Sequence, residues 1–139
     1  MACRPVQPSI IVKCAAIIVR ERALLLVRKR GTDRFISPGG KPLPGEHHIE
    51  CLRRELREEL AVEMTAQAHF RTISDVAAFE RTPLRTHVFW VDIAGHPRAD
   101  HEIEEVLWYR NKQLHPGIKI GSLFGDKVIP FLSQRGLIG

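Results

Sequence analysis

Residues 40–62 read GKPLPGEHHIECLRRELREELAV, and the placement of the rest of the chain follows from this stretch. Its first part, with Gly40, Pro42, Pro44 and Gly45, is loop. Its second part predicts a helix over Ile49–Leu60. At roughly 100° per residue, Leu52, Leu56 and Leu60 cluster within about 60° of Ile49, a narrow apolar stripe suited to a core. Glu55 and Glu59 lie on one flank of it, at roughly 240° and 280°, with Glu58 near 180°. Arg53, Arg54 and Arg57 lie on the other flank. Such a string usually means a solvated helix laced by ion pairs, and Glu58 does find Arg54 at i−4. Glu59, however, has Glu55 at i−4 and Glu63 at i+4, both acidic. Two carboxylates about 6 Å apart beside a core, at an effective dielectric near 20, repel by roughly 3 kcal/mol. A hard divalent cation answers that repulsion, because Mg2+ and Mn2+ take carboxylate and carbonyl oxygens. The expectation is that Glu55, Glu58 and Glu59 converge on one pocket.

The segment Ser37-Pro38-Gly39-Gly40-Lys41 precedes the helix. Taken alone it is an ordinary Pro-Gly turn. Joined to the glutamates at this spacing, residues 40–62 resemble the Nudix box, G-x5-E-x7-R-E-U-x-E-E-x-G-U with U aliphatic. Gly40, Glu46, Arg54, Glu55, Leu56, Glu58, Glu59 and Val62 fall in register, and Ala61 stands where the family has glycine. That glycine ends the helix at positive φ, so alanine should cost about 1 kcal/mol. Phe35–Lys41 is similar to the family's aromatic-x-x-Pro-Gly-Gly-Lys segment, and Glu102–Trp108 to its later acidic segment before a tryptophan strand.

The resemblance implies an α+β Nudix fold, an α/β/α sandwich with a mixed sheet. It implies Mg2+- or Mn2+-dependent hydrolysis of a nucleoside diphosphate linked to another moiety. Glu55, Glu58, Glu59 and the Gly39 carbonyl would be metal ligands, Arg54 would hold a catalytic glutamate, and Glu46 with Gly40 would brace the loop–helix junction. Relatives differ over the general base. Glu59 or Glu55 is one choice; Glu102, six residues before Trp108, is the first choice in the acidic loop, and Glu105 the second. Arg28, Arg30, Arg34 and Lys41 flank the glycine loop and could hold phosphate oxygens. Phe35, Phe79, Phe89 and Trp90 are candidates to stack a base, although Phe89 and Trp90 face opposite sides of their strand. His47 occupies the helix cap, and His48 is expected at the surface. Nudix-fold modules that hold a nucleotide without turnover are the alternative, yet those usually lose box glutamates, and here all are present.

Outside the box, β-rich runs predict strands at Ile10–Val19, Ala23–Arg28, Val62–Ile73, Val76–Phe79, Thr86–Ile93 and Val106–Tyr109. A closing helix is predicted over Asp126–Gln134, with Pro130 awkward inside it. Residues 1–9 read as a loose arm. The 139 residues suit one domain, and the net charge of +5 favours polyanions. Lysines and arginines are dispersed without interleaved aromatics, which argues for a small nucleotide rather than nucleic acid as partner. Relatives occur both as monomers and as homodimers. Three cysteines without CxxC spacing suggest a reduced, cytoplasmic setting. The longest apolar run near the N-terminus, Cys14–Val19, is too short for a signal-peptide core, and nothing approaches the roughly 20 residues of a membrane span.

Overall fold

The computed structural model describes residues 9–76 and 82–139. Most of the expected arm, Cys3, Phe79 and most of the strand expected at Val76–Phe79 therefore lie outside the described residues. Among those described, strands β1 (Ile11–Ile17), β2 (Val19–Arg20) and β3 (Ala23–Lys29) come first. Then follow β4 (Arg34–Phe35), β5 (Gly39–Gly40), helix α1 (His48–Leu60), β6 (Glu63–Val76), β7 (Pro83–Ala94), β8 (Ile103–Tyr109) and β9 (Lys119–Ile120). A π-helical turn, Leu123–Val128, leads into α2 (Ile129–Gln134).

The main sheet has the order β5-β1-β7-β6, with β1 parallel to β7 and the other pairs antiparallel. A second sheet, β2-β3-β8, is antiparallel, and β4 pairs with β9 in parallel. The main sheet is mixed, and the core has two halves. Cys14, Ala16, Ile18, Leu25, Val27 and Phe89 join Leu52, Leu56 and Leu60 of α1. Their strand neighbours Ala15, Ile17, Leu24, Leu26 and Val88 join Phe124, Val128 and Leu132 of the closing helical segment. Strands covered on both faces read as unbroken apolar runs, and this accounts for ALLLV at the start of β3.

Several expectations shift. The strand expected at Val62–Ile73 runs on as one β6 to Val76, with register shifts between Met64 and Ala66 and between His69 and Arg71. The acidic segment is not a loop before its strand, because β8 starts at Ile103. Ile103 is buried, and the carboxylates around it are met across the sheet: Arg28 with Glu105 at 3.1 Å, Lys29 with Glu102 at 3.4 Å, Arg30 with Glu104 at 3.4 Å. Pro130 lies in the first turn of α2, directly after the π-helical turn, so the chain stays helical through it. His48 is not at the surface. It is half-buried, with its ring stacked 4.0 Å from that of His87, and burial pulls the pKa of both imidazoles down.

Helix α1 is capped as its sequence requires. His47 Nδ1 accepts the Ile49 N–H at 3.2 Å. At the other end Ala61 has φ 55°, and the Ala61 and Val62 N–H groups return to Arg57 O and Leu56 O. That is a left-handed cap carried by a residue with a Cβ. Ala61→Gly is therefore expected to raise unfolding stability by about 1 kcal/mol. The check is a higher urea midpoint at unchanged slope.

Candidate active site

Helix α1 presents its carboxylates to the glycine strand β5, and β5 is held against β1 by the pairs Cys14–Gly40 and Ala15–Gly39. Arg54 is the hub of the junction. Its Nε and Nη2 each donate to Glu46 at 2.9 Å, its Nη1 donates to Glu55 at 3.0 Å and Glu58 at 3.3 Å, and its Nη2 also reaches Lys41 O. This fork pulls the Glu46 carboxyl down to about 2 and holds the guanidinium charged. Glu46 also accepts the Leu43 N–H, which ties loop to helix.

Glu59 differs from its neighbours. It is 2% exposed, its Oε1 accepts the Gly39 N–H at 3.3 Å, and its Oε2 is buried with no hydrogen-bond partner. Burial, and then the adjacent Glu55 carboxyl, push its pKa up to about 9. Gly40 makes the approach of Glu55 possible, because a Cβ there would stand 2.5 Å from Glu55 Oε1. Glu55 and Glu59 are thus brought together, whereas Glu58 turns outward to Arg54. Among the described residues no three acidic, histidine or cysteine side chains already surround one point. Even so, a buried carboxylate oxygen without a donor, beside a second carboxylate, is an all-oxygen setting that suits a hard cation. Glu58, expected at the same point, is half-exposed and held by Arg54.

A cavity of about 470 Å³ opens beside these groups and is lined by Gly39, Gly40, Lys41, Arg54, Glu55 and Glu102 at one end. Glu102 reaches it because the preceding loop is tied to the helix end: Asp100 N–H donates to Glu59 O at 3.0 Å and Arg98 N–H to Leu60 O at 3.1 Å. Of the cations expected at phosphate, Lys41 lines the cavity. Arg28 is bridged to Glu105, Arg34 lies exposed beside Asp33, and neither lines it; nor does Arg30, Glu105, Phe35, Phe89 or Trp90. Trp90 instead meets Phe70 and Phe131 edge-on or tilted. Sequence reasoning missed Lys29, Lys13 and Thr86, which do line the cavity. The strand predicted over Ala23–Arg28 stopped one residue short of Lys29, and the β1–β7 pairing that unites Lys13 with Thr86 left no local trace.

The sequence model of the Nudix domain matches residues 11–130, and the chain belongs to the Nudix family. Its fold is shared with solved MutT proteins of that family. The E. coli ORF135 protein superposes with a TM-score of 0.74 at 26% identity, over 92% of each chain. The MutT protein of Methanosarcina mazei Go1 gives 0.75 at 20% identity, over 94% of this chain and 99% of its own. The MutT Nudix hydrolase of Burkholderia pseudomallei gives 0.66 at 23% identity, over 73% and 83%. No curated protein matches the sequence. Among the described residues, no helix is long and apolar enough to cross a membrane.

Proposed function

We propose that the chain hydrolyses a nucleoside triphosphate or another nucleoside diphosphate derivative, by water attack on phosphorus, with Mg2+ or Mn2+ held by Glu55, Glu58, Glu59 and the Gly39 carbonyl. The observation that carries this reading is the buried, donorless Oε2 of Glu59 beside Glu55. The pair tolerates this burial by keeping a proton on Glu59, and a cation taken up in the proton's place would relieve the same repulsion. When bound, the cation supplies neutralisation of the phosphate oxygens and a more acidic water.

The chain's own groups do the rest. Lys41 and Lys29, at the cavity wall, hold phosphate oxygens as point charges. Arg54 fixes Glu55 through a short hydrogen bond and locks the loop through Glu46, so the carboxylates are placed before substrate arrives. Glu102 faces the same cavity from the far side of the helix end. Its side chain is 57% exposed and its contact is a loose 3.4 Å pair with Lys29, so water reaches it. It accepts the proton of the attacking water, and Lys29 steadies it meanwhile.

The test is a panel of nucleoside triphosphates, nucleotide sugars, ADP-ribose and dinucleoside polyphosphates with Mg2+ or Mn2+, assayed for split products. Glu102→Gln is expected to lower kcat by roughly 100-fold or more with little change in KM. Its surface ion pair contributes little to folding, so thermal stability should stay near that of the parent. A variant with full rate removes Glu102 from the mechanism. Tight binding of a panel member without cleavage replaces the enzyme reading with that of a nucleotide sensor.

A further inference from the structure

Strand β6 forms one edge of the main sheet, and among the described residues no strand pairs with its outer side. An open edge presents a row of N–H and C=O groups that can template a further strand. The first part of β6 is guarded against that. Register shifts between Met64 and Ala66 and between His69 and Arg71 bend it away from a flat ladder. The last part carries no such guard: from Arg71 opposite Val88 to Val76 opposite Pro83 the pairing runs without a shift. It also shows apolar surface, since Val76 is 58% exposed and Ile73 is only half-buried. Arg71 and Asp75 flank Ile73 on its own face of the sheet. Both are exposed, and among the described residues neither has an oppositely charged partner. The Arg71 guanidinium lies 4.9 Å from the ring of Phe70 and 5.0 Å from that of Phe131, which hold it in place in advance.

We infer that two copies of this chain associate through this stretch, their β6 strands pairing antiparallel about a twofold axis at Ile73. Such an axis, normal to the sheet, has to pass through a residue, because alternate residues face opposite sides. Centred on Arg71 or Asp75, it would bring like charges together. Centred on Thr72 or Ser74, it would set a charge against Ile73. Centred on Ile73, it places Arg71 opposite the partner's Asp75 on both sides of the axis, Thr72 opposite the partner's Ser74, and Ile73 against its own copy. This self-complementarity of charge names a second copy as the occupant of the edge. The two four-stranded sheets become continuous, and the contact closes on itself, so it yields a dimer and nothing longer. The paired stretch is short beside the area that permanent dimers bury, so the dimer comes apart on dilution. The assembly stands apart from the hydrolytic reading, because Glu55, Glu59 and Glu102 lie outside β6.

Sedimentation velocity of the full chain over a dilution series tests the pairing, and the parent is expected to show a monomer–dimer equilibrium. Arg71→Asp and Asp75→Arg each set like charges opposite one another at both places, and each should weaken self-association by about 10-fold or more. Mixed in equal amounts, the two variants regain opposite charges at both places and should associate as the parent does. Recovery on mixing cannot come from a damaged fold. Hydrogen exchange on the parent gives a reading that needs no variant: amides of residues 71–75 should slow as concentration rises. A parent that stays monomeric up to millimolar concentration, a dimer indifferent to both substitutions, variants that do not pair on mixing, or exchange independent of concentration overturns the assignment.

Discussion

Glu59→Gln is expected to abolish turnover and yet make the cation-free protein more stable at neutral pH. The two effects have one cause. Glu59 is enclosed, its second oxygen meets no donor, and Glu55 lies against it. The folded carboxyl therefore keeps its proton up to about pH 9, whereas in the unfolded chain it titrates near 4.5. The folded pKa is raised, so stability from this group is complete below pH 4.5 and is lost progressively as pH rises towards 9. At pH 7 the loss is on the order of 3 kcal/mol. Glutamine cannot ionise, and its stability escapes this slope. In cation-free buffer the variant should melt several degrees above the parent at pH 8 and level with it near pH 4.5. Added Mg2+ or Mn2+ should reverse the order, stabilising only the parent, because ligand binding to the folded state adds to its stability. Activity should fall by more than the roughly 10- to 100-fold that loss of an outer-shell partner costs. Calorimetric melts across pH, with and without cation, and initial rates at saturating substrate measure all three. An active variant, or a parent indifferent to cation, removes Glu59 from the metal site.

The sequence made the helix legible because its periodicity is local. Leu52, Leu56 and Leu60 sit on one stripe, and all three are fully buried. The crowding of Glu59 could be read from i±4 neighbours, although its complete burial could not, since that depends on Gly39 and the loop at Asp100 closing over it. Roles that depend on long-range pairing were out of reach. Arg28 was a fair phosphate candidate by proximity to the glycine loop, but β3 pairs with β8 and delivers it to Glu105. Glu102 was found only through a resemblance in spacing; physically it reaches the cavity because two backbone hydrogen bonds tie its loop to the end of α1. Thr86 lay inside THVFWVDI, where a threonine is an ordinary β-former. Only the parallel pairing of β1 with β7 places it in the cavity wall, where its hydroxyl is buried and without a partner.

Gly39→Ala and Gly40→Ala separate two roles that the glycine pair combines. Gly39 has φ 141°, a conformation that L side chains rarely adopt. A Cβ there would overlap the Cys14 carbonyl oxygen and stand 2.9 Å from its carbon and 3.0 Å from Ala15 Cα. All three atoms are backbone of β1, so relief requires β5 to leave the sheet. Gly39→Ala should cost more than about 4 kcal/mol, the range reserved for strain or overlap that cannot relax, and the protein should unfold near ambient temperature or fail to accumulate. At Gly40 the added carbon meets side-chain atoms, Glu55 Oε1 at 2.5 Å and Cδ at 2.6 Å. Glu55 can swing aside, at the expense of its hydrogen bond from Arg54 and its place beside Glu59. Gly40→Ala should accordingly fold with a loss below about 2 kcal/mol while its kcat/KM drops by about 100-fold. Its cation-induced rise in melting temperature should shrink in step. Melting curves with and without Mg2+, together with steady-state rates, distinguish the pair. A Gly40→Ala enzyme with parental rate and cation response would mean that Glu55 is not needed where it stands, and the two-carboxylate site would have to be redrawn around Glu59 and Glu58.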